Sequence, residues 1–157
     1  QLVLSADTAV WMEPVDPAFD GAPDSLIKRA PLSGLSEPEI LVAGASIANL
    51  TAWQDMLYWT IRDAVTGEHR IMRQPAGGGM LEVVYVAKRP FQAILPDAAD
   101  VYFVEGINNT GVGLYGVSIE DGSVTTFSSS HYVYTITADA QLVYWADYTD
   151  RIFALAK

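Results

Sequence analysis

An aromatic landmark returns four times along the chain. The stretches ADTAVWME (6–13), WQDMLYWT (53–60), DAADVYFV (97–104) and ADAQLVYWAD (138–147) each run from a polar turn into an aromatic core. Their anchor residues, Trp11, Trp59, Phe103 and Trp145, are spaced 48, 44 and 42 residues apart. A period of roughly 40 to 50 residues is that of a four-stranded propeller blade.

Other landmarks keep step with the anchors. After each comes a short run, LIKRAPLSG (26–34), RIMRQPAGG (70–78), LYGVSIEDG (114–122) and RIFALAK (151–157). Gly34, Gly78 and Gly122 close the first three at one offset, where a hairpin calls for a positive φ. A further strand follows in EILVA (39–43), LEVVYVA (81–87) and VTTFSS (124–129). Ahead of each anchor lies another, LVLS (2–5), IANLTAW (47–53), FQAIL (91–95) and VYTITA (133–138). These runs are β-branched and aromatic, as strands prefer. A β-sandwich also has short strands at even spacing, but it does not repeat the same landmarks in the same order four times.

The expected fold is all-β, a β-propeller, with about 3.75 four-stranded blades over residues 1–157. The blades run approximately over 1–44, 45–88, 89–130 and 131–157, the last without its fourth strand. Strands are numbered first to fourth from the axis outward, with the anchors on second strands between neighbouring blades. Such a chain makes either a four-blade ring or part of a larger propeller, completed by another chain or a missing segment. A start at Gln1 rather than Met is expected for a processed, exported protein or a piece of a longer product.

Charge excludes several partners. The net charge is −10, and an acidic surface repels nucleic acid and anionic lipid. With no cysteine, disulfides and thiolate chemistry are ruled out. No apolar run reaches the ~18 residues of a membrane span.

The stretches LYWTIRDAVTGEHRIMRQPAGGG and VYWADYTDRIFAL resemble the YWTD-type propellers and the bacterial six-bladed propeller repeats. Tyr144-Trp145-Ala146-Asp147 and Tyr58-Trp59-Thr60 each keep three letters of that motif, whereas Tyr102-Phe103 and Val10-Trp11 match it more weakly. The resemblance covers nearly the whole chain at the level of the repeat. It implies a fold and no catalytic role, because the motif residues of that family are chiefly structural and the fold hosts many functions.

Candidate chemistry is sparse. Only His69 and His131 could serve a nucleophilic triad, and the serines of FSSSHYVY beside His131 read as loop. Asp16, Asp20 and Asp24 lie in the longest expected loop. Calcium takes oxygens of this kind, but the spacing is not that of a calcium loop. Lactonase-type propellers hold a metal with Glu, Asn and Asp from different blades. Glu105, Asn108, Asp63 and Asp147 fall after second strands, at the positions such a site would use. Lys88-Arg89 lies in a loop between blades, where it would contact an acidic ligand or pair with neighbouring carboxylates. Asn49 and Asn108 head glycosylation-type triplets; Asn108 lies in the glycine-rich stretch EGINNTGVG, expected as a loop and reachable, and Asn49 in an expected inner strand, out of reach. GVGLYG (111–116) lacks the following helix that a phosphate loop needs.

The leading expectation is a non-catalytic, exported binding or scaffolding module that meets a protein or glycan through its loops. Its binding residues would be Asp63, Lys88, Arg89, Glu105, Asn108, His131 and Asp147, with no catalytic or metal-ligating set and no cofactor assigned. The alternatives are a metal-assisted hydrolase or lactonase with a central-channel site, and a structural repeat subunit of a larger assembly.

Overall fold

The computed structural model describes residues 1–5, 7–15, 24–34, 36–44, 46–107, 110–129, 133–147, 149 and 151–157. The described residues form β-strands and connecting turns only. No helix long and apolar enough to cross a membrane is present among the described residues. Two compact units are present, Gln1–Lys88 and Arg89–Lys157.

The first unit holds two sheets. One is built from β1 (Leu2–Ser5), β2 (Thr8–Pro14), β3 (Ser25–Pro31) and β4 (Glu39–Gly44). The other is built from β5 (Ala48–Trp53), β6 (Met56–Arg62), β7 (His69–Pro75) and β8 (Glu82–Ala87). In the second unit, β9 (Phe91–Pro96), β10 (Asp100–Ile107), β11 (Thr110–Ser118) and β12 (Val124–Ser128) form a third sheet. The fourth contains β13 (Val133–Ala138), β14 (Leu142–Asp147) and β15 (Ile152–Ala156). Within each sheet the spatial order is the chain order and every pair is antiparallel. Each sheet is therefore a four-stranded meander, or a three-stranded one in the last case, and corresponds to one blade.

The blades of a unit pack by one rule. In the first unit, Val10 and Ile27 of blade one bury against Leu57, Trp59 and Met72 of blade two. In the second, Tyr102, Val104 and Leu114 of blade three bury against Val143 and Trp145 of blade four. In both cases the residues flanking one blade's anchor receive the anchor ring of the next blade. Strand alternation explains this, since residues two apart share a face. We call the receiving face forward and the anchor-bearing face backward. Trp59 is 1% exposed and Trp145 7%, as expected of anchors. Neither indole N–H has a partner among the described residues, so the rings are held for their volume. Phe103, at the same position in blade three, is fully buried without an N–H to place. Trp11 differs: it is only half-buried, because it lies on the backward face of blade one.

Turn chemistry fixes the meanders. Gly34, Gly78 and Gly122 have φ of 69°, 85° and 71°. Side chains of Asp97 and Asp139 accept backbone N–H bonds from the second and third residues beyond them, at 2.8–2.9 Å, where first strand turns into second. Asp63 does the same between second and third strands, with Val65 and Thr66. A share of the acidic excess is thus spent on holding turns.

Blade three departs from expectation. Of the stretch EGINNTGVG, expected as a loop, residues 105–107 and 110–113 belong to two long strands, with Ile107 opposite Thr110. Its third strand begins at Thr110 rather than near residue 114. Gly113 permits this, since a Cβ there would lie 2.6 Å from the Ser128 carbonyl oxygen.

Candidate functional site

The cross-strand register of blade two gathers several side chains at one edge of its sheet. Arg62, the last residue of β6, lies opposite His69, the first of β7. His69 in turn lies opposite Ala87, the last of β8, and Lys88 follows directly. A row therefore runs Arg62, His69, Lys88, and Arg89 is the next residue along the chain. Arg62, Lys88 and Arg89 are all exposed. His69 is partly buried. Burial, with the Arg62 charge beside it, lowers its pKa below the usual histidine value, so it is mostly neutral near pH 7.

The charge accounting makes this row distinctive. The chain has nine Lys and Arg residues. Six are engaged: Lys28 with Glu13, Arg29 with Glu39, Arg70 with Asp63 and Glu68, Arg73 with Glu82, Arg151 with Asp147 and Lys157 with Asp97. Among the described residues, Arg62, Lys88 and Arg89 form no ion pair. The pairing of Lys88 and Arg89 with nearby carboxylates, one of two outcomes expected from the sequence, is not found among the described residues.

The adjoining β6–β7 loop is firmly built. Arg70 reaches the Asp63 carboxylate at 3.0 Å, and the Asp63 backbone N–H donates to the Glu68 carbonyl at 2.8 Å. The Thr66 and Val65 amides hold the Asp63 pKa below the usual aspartate range. At the loop tip Val65 is 94% exposed, an apolar side chain beside the cationic row.

Of the remaining expected residues, Asp147 and Glu105 are described. Asp147 is buried, and its carboxylate accepts from the Thr149 hydroxyl at 2.6 Å, the Thr149 amide at 2.8 Å and Arg151 at 3.0 Å. These bonds, the Thr149 hydroxyl foremost, lower its pKa to about 2. It holds a turn, as Asp63 does. Glu105 is half-buried at an irregularity of β10, opposite Gly113 and Phe91. Asn108, His131, Asp16 and Asp20 lie outside the described residues, and Asp24 accepts a bond from Ser25 at 3.0 Å. Among the described residues, no three acidic or histidine side chains are grouped as metal ligands. A surface pocket is lined by Thr8, Pro31, Ser36, Glu37 and the paired Arg29 and Glu39.

Arg62 and His69 were not singled out from the sequence as binding residues. Their signal lay in the hairpin: the end of a second strand, the start of a third and the end of a fourth meet at one sheet edge.

No protein-family model matches the chain, and no curated protein matches it. Solved structures do. A chain of a nidogen/laminin complex aligns over 99% of this chain and 58% of its own length, with 15% identity and a TM-score of 0.69. The computationally designed Ika4 protein aligns over 99% of this chain and 88% of its own, with 13% identity and a TM-score of 0.68. TolB from Acinetobacter baumannii aligns over 93% and 40%, with 16% identity and a TM-score of 0.64. The fold is a β-propeller. At these identities the likeness concerns fold alone, and this chain spans little more than half of the nidogen/laminin complex chain.

Proposed function

We propose that this propeller is a non-catalytic binding module that docks an acidic protein segment on the edge of its second blade. Arg62, Lys88 and Arg89 supply the charge, His69 lies between them in the register, and Val65 offers an apolar contact. The observation that carries the reading is the charge accounting: in a chain of net charge −10, the three cations that form no ion pair among the described residues all lie at or next to this one edge. A localised cationic row on an acidic molecule orients an acidic partner and repels it elsewhere. Its effect falls chiefly on association rate and salt dependence. The exposed Val65 favours a protein over a glycan, since an aliphatic tip gains by burial against apolar side chains. The nidogen/laminin structure, by its name a protein complex, is consistent with such a use of the fold.

The test is titration with a poly-glutamate peptide at low ionic strength, followed by the ring resonances of His69. Binding should raise the His69 pKa, weaken with salt, and be lost in an Arg62→Ser/Lys88→Ser/Arg89→Ser variant. Binding that survives the triple substitution, or none in the parent, overturns the proposal. Preference for a sulfated glycan over the peptide would overturn the choice of partner. Asp63 and Asp147, two of the residues a metal-assisted hydrolase site would use, hold their own turns.

A further inference from the structure

The cationic row crosses the strand ends of blade two, and the long side of the same sheet is β8. The sheet runs β5-β6-β7-β8, so β8 pairs with β7 and with no other described strand. The residues of an outermost antiparallel strand turn their N–H and C=O groups alternately inward and outward, and the outward ones can receive one more strand. The register of β8 slips between Ile71 and Met72, which puts Val83 opposite Met72 and Val86 opposite Arg70. Residues two apart on β7 share a face, so this bulge brings Val83 and Val86 to one face, where an unbroken strand would place them on opposite faces. They are 50% and 44% exposed. On the other face Glu82, the one charged residue of β8, is paired with Arg73 at 2.6 Å. Lys88 follows β8 directly, two residues beyond Val86.

The geometry points to strand addition: the acidic segment lies extended along β8 as one more strand of blade two. This inference rests on the binding proposal for its partner and adds how that partner is held. Main-chain bonds to the outward groups of β8 supply attachment, and alternate side chains supply selectivity. Val83 and Val86 favour a segment with apolar residues at alternate positions, and Lys88 favours acidic residues beyond them. The other outer strands of four-stranded sheets lack this combination, because neither β4 nor β12 has a lysine or arginine within it or directly after it. Natural sheets guard an apolar outer strand with charges or cover it. Within β8 the only charge is spent on Arg73, so the added strand is what covers the two valines.

Amide hydrogen exchange and matched peptides test it on the whole chain. Without peptide, alternate amides of β8 should exchange faster than those of β7. A peptide that alternates valine with threonine and ends in glutamates should slow them. N-methylation confined to its valines removes the donors on one side of the extended peptide, and confined to its threonines those on the other side. One methylated form should bind like the unmodified peptide and the other at least about tenfold more weakly, as the loss of one or more hydrogen bonds implies. Val83→Thr/Val86→Thr should weaken the unmodified peptide several-fold. Equal affinities of the two methylated forms overturn strand addition. So do β8 amides already protected throughout before peptide is added, or a double variant that binds as the parent does. If poly-glutamate binds through Arg62, Lys88 and Arg89 while any of these results is found, the inference fails alone. If neither peptide binds, the binding proposal fails with it.

Discussion

One carboxylate, that of Asp147, holds the turn between the second and third strands of the last blade through four bonds to Thr149 and Arg151. Its pKa of about 2 in the folded chain lies below the value of about 3.9 of a free aspartate. A group whose folded pKa is depressed adds stability that is complete above the unfolded pKa and is lost as pH falls through the folded one. The contribution of Asp147 should therefore be present above about pH 4 and fade toward about pH 2. Denaturation midpoints of the parent and of Asp147→Asn should converge over that window; a constant gap would mean the ionised carboxylate is not what holds the turn. Glycines give a second contrast. A methyl group at Gly113 would collide with the Ser128 carbonyl, whereas nothing lies within 4 Å of one at Gly77. Gly113→Ala should cost roughly 1–3 kcal/mol, as overpacking does, and Gly77→Ala should be near neutral or slightly stabilising. Equal melting temperatures for the two variants would contradict the register of β11 and β12. None of this was legible in the composition, where acids and glycines count alike wherever they sit.

At the scale of strands, legibility followed chemistry. VYTITA was expected as a strand over 133–138 and is one, because a β-branched and aromatic run between turn residues has few alternatives. Trp59, Phe103 and Trp145 were legible as buried rings for the same reason. EGINNTGVG was not, since glycines that signal a loop also admit a close neighbouring strand, as Gly113 does. The cationic edge was half legible: Lys88 and Arg89 are adjacent in sequence, but Arg62 joins them only through two antiparallel registers. The anchors themselves make a graded prediction. Trp59→Ala should cost about 3–5 kcal/mol, as large-to-small core changes do. Trp59→Phe should cost much less, because the indole N–H is unpartnered and phenylalanine already serves at residue 103. Trp11→Ala, on a half-buried ring, should fall below Trp59→Ala. Thermal melts of the three variants would check the order, and a Trp59→Phe as damaging as Trp59→Ala would count against an anchor held for ring volume.

At the scale of the molecule, one packing rule is shared by the two units: the residues flanking an anchor receive the anchor of the next blade in the same unit. The 48-, 44- and 42-residue spacings carry that rule in the sequence. Unpaired cations do not appear there, since they are defined by what fails to meet them. The rule is tested most directly by a double-mutant cycle between blades of one unit, Val10→Ala against Trp59→Phe, measured by denaturant unfolding. Both side chains belong to one buried cluster, so the cycle should give a coupling of about 0.5–3 kcal/mol. A matched cycle of Val104→Ala with Trp145→Phe should do the same in the second unit. Additivity within about 0.3–0.5 kcal/mol in both cycles would contradict the packing rule.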